Sequence, residues 1–171
     1  VIQVVNYPAA MPSLQNNFEG LAYSNAFPPD TVGDLGYDPD TGRRYYVQWV
    51  NLSYAIWDVT GTPEMKYTAR GNTLWSGFGG PCENTNDGDP IVLFDQLAGR
   101  WFLSQFAQPN FPAGPFYQCF AISQTADPTG AYHRYAFQAS ATKLNDYPHF
   151  GVWPDGYYMT ANQFRYGGTF T

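Results

Sequence analysis

Carboxylate and amide side chains recur just ahead of three predicted strands, and they are the residues of this sequence best suited to chemistry. They lie in the segments 28–34, 84–90 and 145–146. Oxygen atoms of this kind are the ligands that Ca²⁺ prefers in proteins. If the strands lie side by side around an axis, their beginnings converge there and the side chains meet. We therefore predict a Ca²⁺ site built from Asp30, Asp34, Asn86, Asp87, Asp89 and Asp146.

The same residues admit two other interpretations. Asp and Asn also form turns and cap backbone groups without any ligand. Carboxylates gathered at one place could instead act in catalysis. The loop at 84–89 carries oxygen side chains at alternate positions with a glycine, as calcium loops do, but it lacks the distal Glu of an EF-hand. At the level of sequence all three interpretations stay open.

The elements that would position these residues follow from an internal repeat. An aromatic-rich segment occurs three times, with Tyr45, Trp101 and Tyr157 at equal intervals. A fixed period of roughly 50 residues in strand-rich sequence is typical of propeller blades. A turn rich in Asp, Gly and Pro precedes each copy, as expected between antiparallel strands. The predicted fold class is therefore all-β, with β-propeller blades of four antiparallel strands.

The repeat divides the chain into blade units at about 28–75, 86–141 and 145–171, the last of which is incomplete. A propeller needs at least about four blades to close a ring. We therefore predict a partial propeller, completed by the rest of a longer chain or by other copies of itself. Residues 1–27 fall outside the repeat, and the apolar run at 1–5 predicts an extended segment that could act as a clasp strand on a sheet edge.

Composition and cysteine content indicate a secreted or cell-surface protein. Aromatic residues make up 19% of the chain and charged residues 13%, so side chains that pack are abundant. Cys82 and Cys119 are predicted to form a disulfide that ties the loop before the second blade to a strand of that blade. The alternative is one buried and one exposed free thiol.

Charge and hydropathy exclude two classes of partner. The net charge of −6 opposes approach to a phosphate backbone, so we expect no nucleic-acid partner. No run approaches the 18 or so apolar residues of a membrane helix, so we expect no membrane span. The expected partners are other copies of the chain, the rest of a longer chain, and glycans.

Three sequence blocks resemble a family of large secreted bacterial β-propeller proteins, which are distantly similar to sialidase-type propellers. The blocks are residues 28–34, residues 86–95 with the Arg-Trp pair that follows, and residues 145–155. The resemblance covers about residues 17–165 and implies a surface or secreted propeller within a longer protein. The chain has no Ser-x-Asp-x-Gly-x-Thr-Trp box, so the resemblance does not imply sialidase activity.

Three functions are compatible with these patterns. An extracellular structural or interaction module is favoured, because the chain is rich in packing features and poor in catalytic ones. A carbohydrate-binding propeller is the first alternative, since exposed aromatic rings near Asn, Gln and Asp suit sugar rings. A glycan-active hydrolase that uses the clustered carboxylates is the second, and no catalytic residues are assigned.

Overall fold

The computed structural model describes residues 13–23 and 25–165, and these residues form an all-β protein. Within them, ten strands build three antiparallel sheets. Two short helices lie between the first and second sheets in the chain. The predicted all-β class with antiparallel sheets is therefore confirmed. The clasp strand predicted at 1–5 lies outside the described residues.

The first two sheets are four-stranded meanders whose strands are hydrogen-bonded in chain order. Sheet 1 contains β1 (Val32–Asp38), β2 (Arg43–Val50), β3 (Ser53–Asp58) and β4 (Glu64–Arg70). Sheet 2 contains β5 (Ile91–Asp95), β6 (Arg100–Ala107), β7 (Phe116–Ser123) and β8 (Tyr132–Ser140). Gly42 and Gly99 adopt positive φ in the turns before β2 and β6, a conformation that glycine adopts without steric cost.

Sheet 3 repeats only the first half of this pattern. Its strands are β9 (Leu144–Trp153) and β10 (Gly156–Phe164), and they are its only strands within the described ranges 13–23 and 25–165. The sequence predicted the first of these strands from residue 149 onward, so β9 begins earlier than expected. The two-stranded sheet leaves β10 as an edge strand of the described structure.

An apolar core joins sheet 1 to sheet 2. Side chains alternate between the two faces of a strand, so Val47 and Trp49 of β2 point to the same side and are fully buried. Trp101 and Leu103 of β6 meet them from sheet 2 and are also fully buried. Burying each such side chain contributes roughly 1.5–3 kcal/mol relative to exposing it. These contacts make the two sheets one packed unit.

The first strands of the three sheets lie next to one another, because β1 contacts β5 and β5 contacts β9. The amide of Phe94 on β5 donates a hydrogen bond to Asp34 Oδ2 on β1, with a length of 2.7 Å. Gly36 lets the strands approach, since a Cβ there would lie 2.5 Å from Trp101 and 2.7 Å from Phe94. The sheets described here are open and do not close on themselves.

The predicted disulfide anchors the connection between sheets 1 and 2. This connection forms a 3-10 helix (Gly71–Trp75) and one α-helical turn, α1 (Pro81–Asn84). Cys82 on α1 is bonded to Cys119 on β7, which confirms the predicted pairing. Both cysteines are fully buried, so the bridge is also part of the apolar core.

Residues 16–21 cover the face of sheet 1 that points away from sheet 2. The ring of Phe18 packs against Tyr46 and Trp57, with centroid distances of 6.1 and 5.6 Å. The amide of Leu21 donates a hydrogen bond of 2.7 Å to Gln48 Oε1. This part of the predicted N-terminal segment is therefore packed on the sheet.

Candidate functional site

Asp30 lies in the loop that leads into β1, with a positive φ of 42°. Its Oδ2 accepts a hydrogen bond of 2.7 Å from Asn51 Nδ2, and the same amide nitrogen donates to the carbonyl of Pro28 at 2.8 Å. Asn51 is buried in the turn between β2 and β3. Asn51 therefore holds the loop before β1 against its own sheet.

Asp89 occupies the corresponding place before β5, also with a positive φ, of 51°. Its Oδ2 accepts a hydrogen bond of 2.8 Å from the amide of Tyr147 on β9. Burial above all, together with the negative charges of Asp30 and Asp146, raises the pKa of Asp89 to about 6, against the hydrogen bond from Tyr147. Asp89 thus links sheet 2 to sheet 3 through a carboxyl group that is costly to ionise.

Asp30, Asp89 and Asp146 form a cluster of carboxyl groups contributed by three successive sheets. Burial first, and then the charge of Asp146, raise the pKa of Asp30, although the hydrogen bond from Asn51 lowers it. Interaction between the two side chains lowers the pKa of Asp30 and raises that of Asp89, so Asp89 is the carboxyl group that holds a proton more readily. We call these three residues the acidic cluster.

The other three predicted ligands make contacts to the main chain. Asp34 accepts from the amide of Phe94 at 2.7 Å, and Asp87 Oδ2 accepts from the amide of Gln108 at 2.6 Å. The side chain of Asn86 accepts from one main-chain amide at 2.8 Å and donates to one carbonyl at 2.9 Å. These are the loop-fixing roles that Asp and Asn commonly take.

The acidic cluster supplies hard oxygen atoms of the kind that Ca²⁺ binds. Within the described residues, however, no group of three or more His, Cys, Asp or Glu side chains stands close enough together to hold a metal ion. In the described arrangement one oxygen of Asp30 and one of Asp89 already accept hydrogen bonds from the protein. The calcium site therefore stays a prediction.

The contact between sheets 2 and 3 combines an aromatic cluster with buried polar groups. The ring of Phe102 lies 4.9 Å from that of Phe150 and 5.1 Å from that of Tyr157, centroid to centroid. Beside them, the buried Asn145 donates a hydrogen bond of 2.7 Å to Gln118 Oε1. The sequence marked Asn145 only as part of the polar segment 145–146 and gave no signal for its pairing with Gln118, because nothing distinguishes Gln118 from a surface amide in a strand.

Sheet 3 covers sheet 2 only in part. Phe120 on β7 pairs with Tyr135 on β8, and Gln118 pairs with Phe137. These four side chains therefore lie on the same face of sheet 2, the face that contacts sheet 3. Beyond β10 this face is open: Tyr135 is 43% exposed and Phe137 is 54% exposed. A groove of about 370 Å³ runs along it, lined by Phe102, Phe120, Ile122, Tyr135, Phe137, Phe150, Tyr157 and Met159. We call this surface the aromatic groove.

Comparison of the chain with protein-family models, curated proteins and solved structures finds no match. Among the described residues, no helix is long and apolar enough to cross a membrane. The functional assignment therefore rests on the acidic cluster, the aromatic groove and the sheet arrangement themselves.

Proposed function

We propose that this protein is an extracellular, β-propeller-like interaction module whose third sheet is completed by strands from a further polypeptide segment. The observation that carries the proposal is the aromatic groove beside the edge of β10. Among residues 13–23 and 25–165, sheets 1 and 2 each have four strands in the same order, and sheet 3 has the counterparts of the first two. A third and a fourth strand beside β10 would lie over Tyr135 and Phe137.

The energetics favour such completion. Exposed, contiguous apolar surface next to a strand edge is the usual mark of an interaction site in a natural protein. Covering a large aromatic side chain contributes roughly 1.5–3 kcal/mol, and pairing along β10 would satisfy its outward main-chain groups. The disulfide between Cys82 and Cys119 supports an extracellular setting, because such bonds persist in oxidising compartments.

This proposal is tested by the native mass of the purified particle. The mass is measured by light scattering and compared with the 19.2 kDa of the chain. We expect a heavier particle, made either of several copies of this chain or of this chain with additional polypeptide. Phe137→Lys should shift the particle toward lower mass, because a charge in the aromatic groove opposes burial. Leu97→Lys is the matched control, since Leu97 is 73% exposed in the turn between β5 and β6. A particle of 19.2 kDa would overturn the proposal.

A calcium-dependent module is the second candidate, and the acidic cluster is the observation that favours it. The negative charge of Asp146 raises the pKa of both Asp30 and Asp89, and a bound divalent cation would offset this repulsion. The corresponding prediction is that a chelator lowers the melting temperature by several degrees and that added Ca²⁺ restores it. An unchanged melting temperature in the chelator would remove calcium from the proposal.

A further inference from the structure

A second cleft lies between sheets 1 and 2, away from the acidic cluster and from the aromatic groove. Its volume is about 340 Å³, at the small end of the range of about 300–1,000 Å³ for small-molecule pockets. Tyr54 of β3 and Tyr67 of β4 line one side. The 3-10 helix and the segment from Pro128 to Arg134 line the other. The size fits a ligand of one or two small rings.

The walls of this cleft are fixed before any ligand binds. The guanidinium of Arg134 donates a hydrogen bond of 2.7 Å to the carbonyl of Ser76 and lies 5.6 Å from the ring centroid of Phe78. These contacts tie β8 to the connection that follows sheet 1. The disulfide between Cys82 and Cys119 joins the same connection to β7. A pre-formed site of this kind binds without a large ordering cost.

The polar groups of the cleft are arranged to accept hydrogen bonds. The hydroxyl groups of Thr73, Thr129 and Tyr132 line it, and each donates its proton to a protein acceptor, at 2.6, 2.7 and 2.7 Å respectively. A hydroxyl oxygen also carries two lone pairs. Since the protons are committed, a lone pair on Thr129 or Tyr132 can accept a hydrogen bond from a ligand that donates it, whereas Thr73 also interacts with the hydroxyl group of Tyr54. Arg134 supplies the complementary donors.

The charges around the cleft favour a neutral ligand. Arg134 interacts electrostatically with the carboxylate of Glu83, and the carboxylate of Asp127 lies near Tyr132. The chain as a whole carries a net charge of −6. An anionic ligand would therefore gain little from Arg134, whose charge Glu83 partly offsets, and would still pay its desolvation cost. A neutral ligand avoids this cost and keeps its hydrogen bonds.

We propose that this cleft binds a neutral pyranose sugar, either free or as one residue of a neutral polysaccharide. The sugar hydroxyl groups would donate to the hydroxyl oxygens of Thr129 and Tyr132 and accept from Arg134. The ring of Tyr67, which is 44% exposed, presents an apolar face on which the C–H face of a sugar can pack. This inference is independent of how sheet 3 is completed.

The test is saturation-transfer NMR followed by calorimetry. Glucose, galactose and mannose represent the free sugars, and a soluble neutral glucan and galactan represent the polysaccharides. We expect at least one of these probes to bind, with glucuronate weaker than the corresponding neutral hexose. Binding only to the polysaccharides would show that the cleft binds a sugar residue within an extended glycan and not a free sugar. Absence of binding to all five probes, or tighter binding of glucuronate, would overturn the proposal.

Paired variants locate the bound sugar. Tyr67→Ala should weaken binding about tenfold, the loss expected when one stacking ring is removed. Tyr37→Ala removes a comparably exposed tyrosine from β1, outside this cleft, and should leave the affinity unchanged. Equal losses in the two variants would place the sugar elsewhere and contradict the assignment. Circular dichroism of both variants establishes that each retains the fold.

Discussion

At the scale of single residues, the acidic cluster shows how far the sequence determines a site. The repeat indicated that carboxylates would gather where the first strands of the sheets begin, and Asp30, Asp89 and Asp146 do interact there. Their neighbours Asn86 and Asp87 also carry side-chain oxygen atoms, but these accept hydrogen bonds from main-chain amides. Sequence spacing could not separate these roles, because a loop's path decides which carboxylates face one another and which face an amide.

The ionisation of Asp89 provides a residue-scale prediction. Its pKa is raised from 3.8 to about 6, so the folded state binds more protons than the unfolded state between about pH 4 and pH 6. The free energy of unfolding should therefore fall as the pH rises through this window. In metal-free buffer, Asp89→Asn should flatten this dependence and stabilise the protein at pH 7 by about 1 kcal/mol, a figure that allows for solvent screening of a partly exposed group.

Urea unfolding followed by tryptophan fluorescence at pH 4.5 and pH 7 measures this effect. Asp40→Asn, at an exposed turn position after β1, removes the same charge away from the cluster and serves as the control. A variant at Asp89 that is no more stable at pH 7 than this control would contradict the account of the cluster. If Ca²⁺ is present and binds at the acidic cluster, Asp89→Asn should instead lower the free energy of unfolding at pH 7, because the variant would lose a Ca²⁺ ligand.

At the scale of elements, turn residues predicted the strand ends of sheets 1 and 2 well, whereas β9 begins before its predicted start. The Gly and Asp residues of the hairpins mark the ends of β1, β2, β5 and β6 closely. Pro148 has no amide donor for a strand ladder, and the predicted strand began after it, at residue 149. In the structure β9 continues through Pro148. Thr160 of β10 pairs with His149 and Asn162 pairs with Asp146, so the register of the two strands shifts between these pairs. This bulge leaves Pro148 outside the ladder, and the positive φ of Tyr147 accompanies it.

At the scale of the whole molecule, the arrangement of the sheets depends on contacts that the sequence does not reveal. Side chains alternate between the two faces of a strand, and Trp49 and Trp101 are buried between sheets 1 and 2, but the alternation alone did not say which aromatic side chains would be buried. Whether the sheets continue into a closed ring depends on strands beyond sheet 3. Sheets 1 and 2 share an extensive core, whereas sheet 3 is attached through a smaller set of rings and through hydrogen bonds from Asn145, Tyr147 and Tyr157.

This difference predicts that sheet 3 opens separately from the rest of the molecule. Asn145→Ala leaves Gln118 Oε1 without its donor in a buried position, a loss that typically costs about 1–3 kcal/mol. Because the lost bond joins sheets 2 and 3, amide hydrogen exchange in β9 and β10 should accelerate about tenfold, while β2 and β6 change much less. Asn110→Ala, in the exposed loop after β6, is the control and should leave all strands unaffected. Uniform acceleration across the three sheets would instead mean that they unfold as one cooperative unit, and the buried amide pair would then stabilise the whole core rather than the attachment of sheet 3.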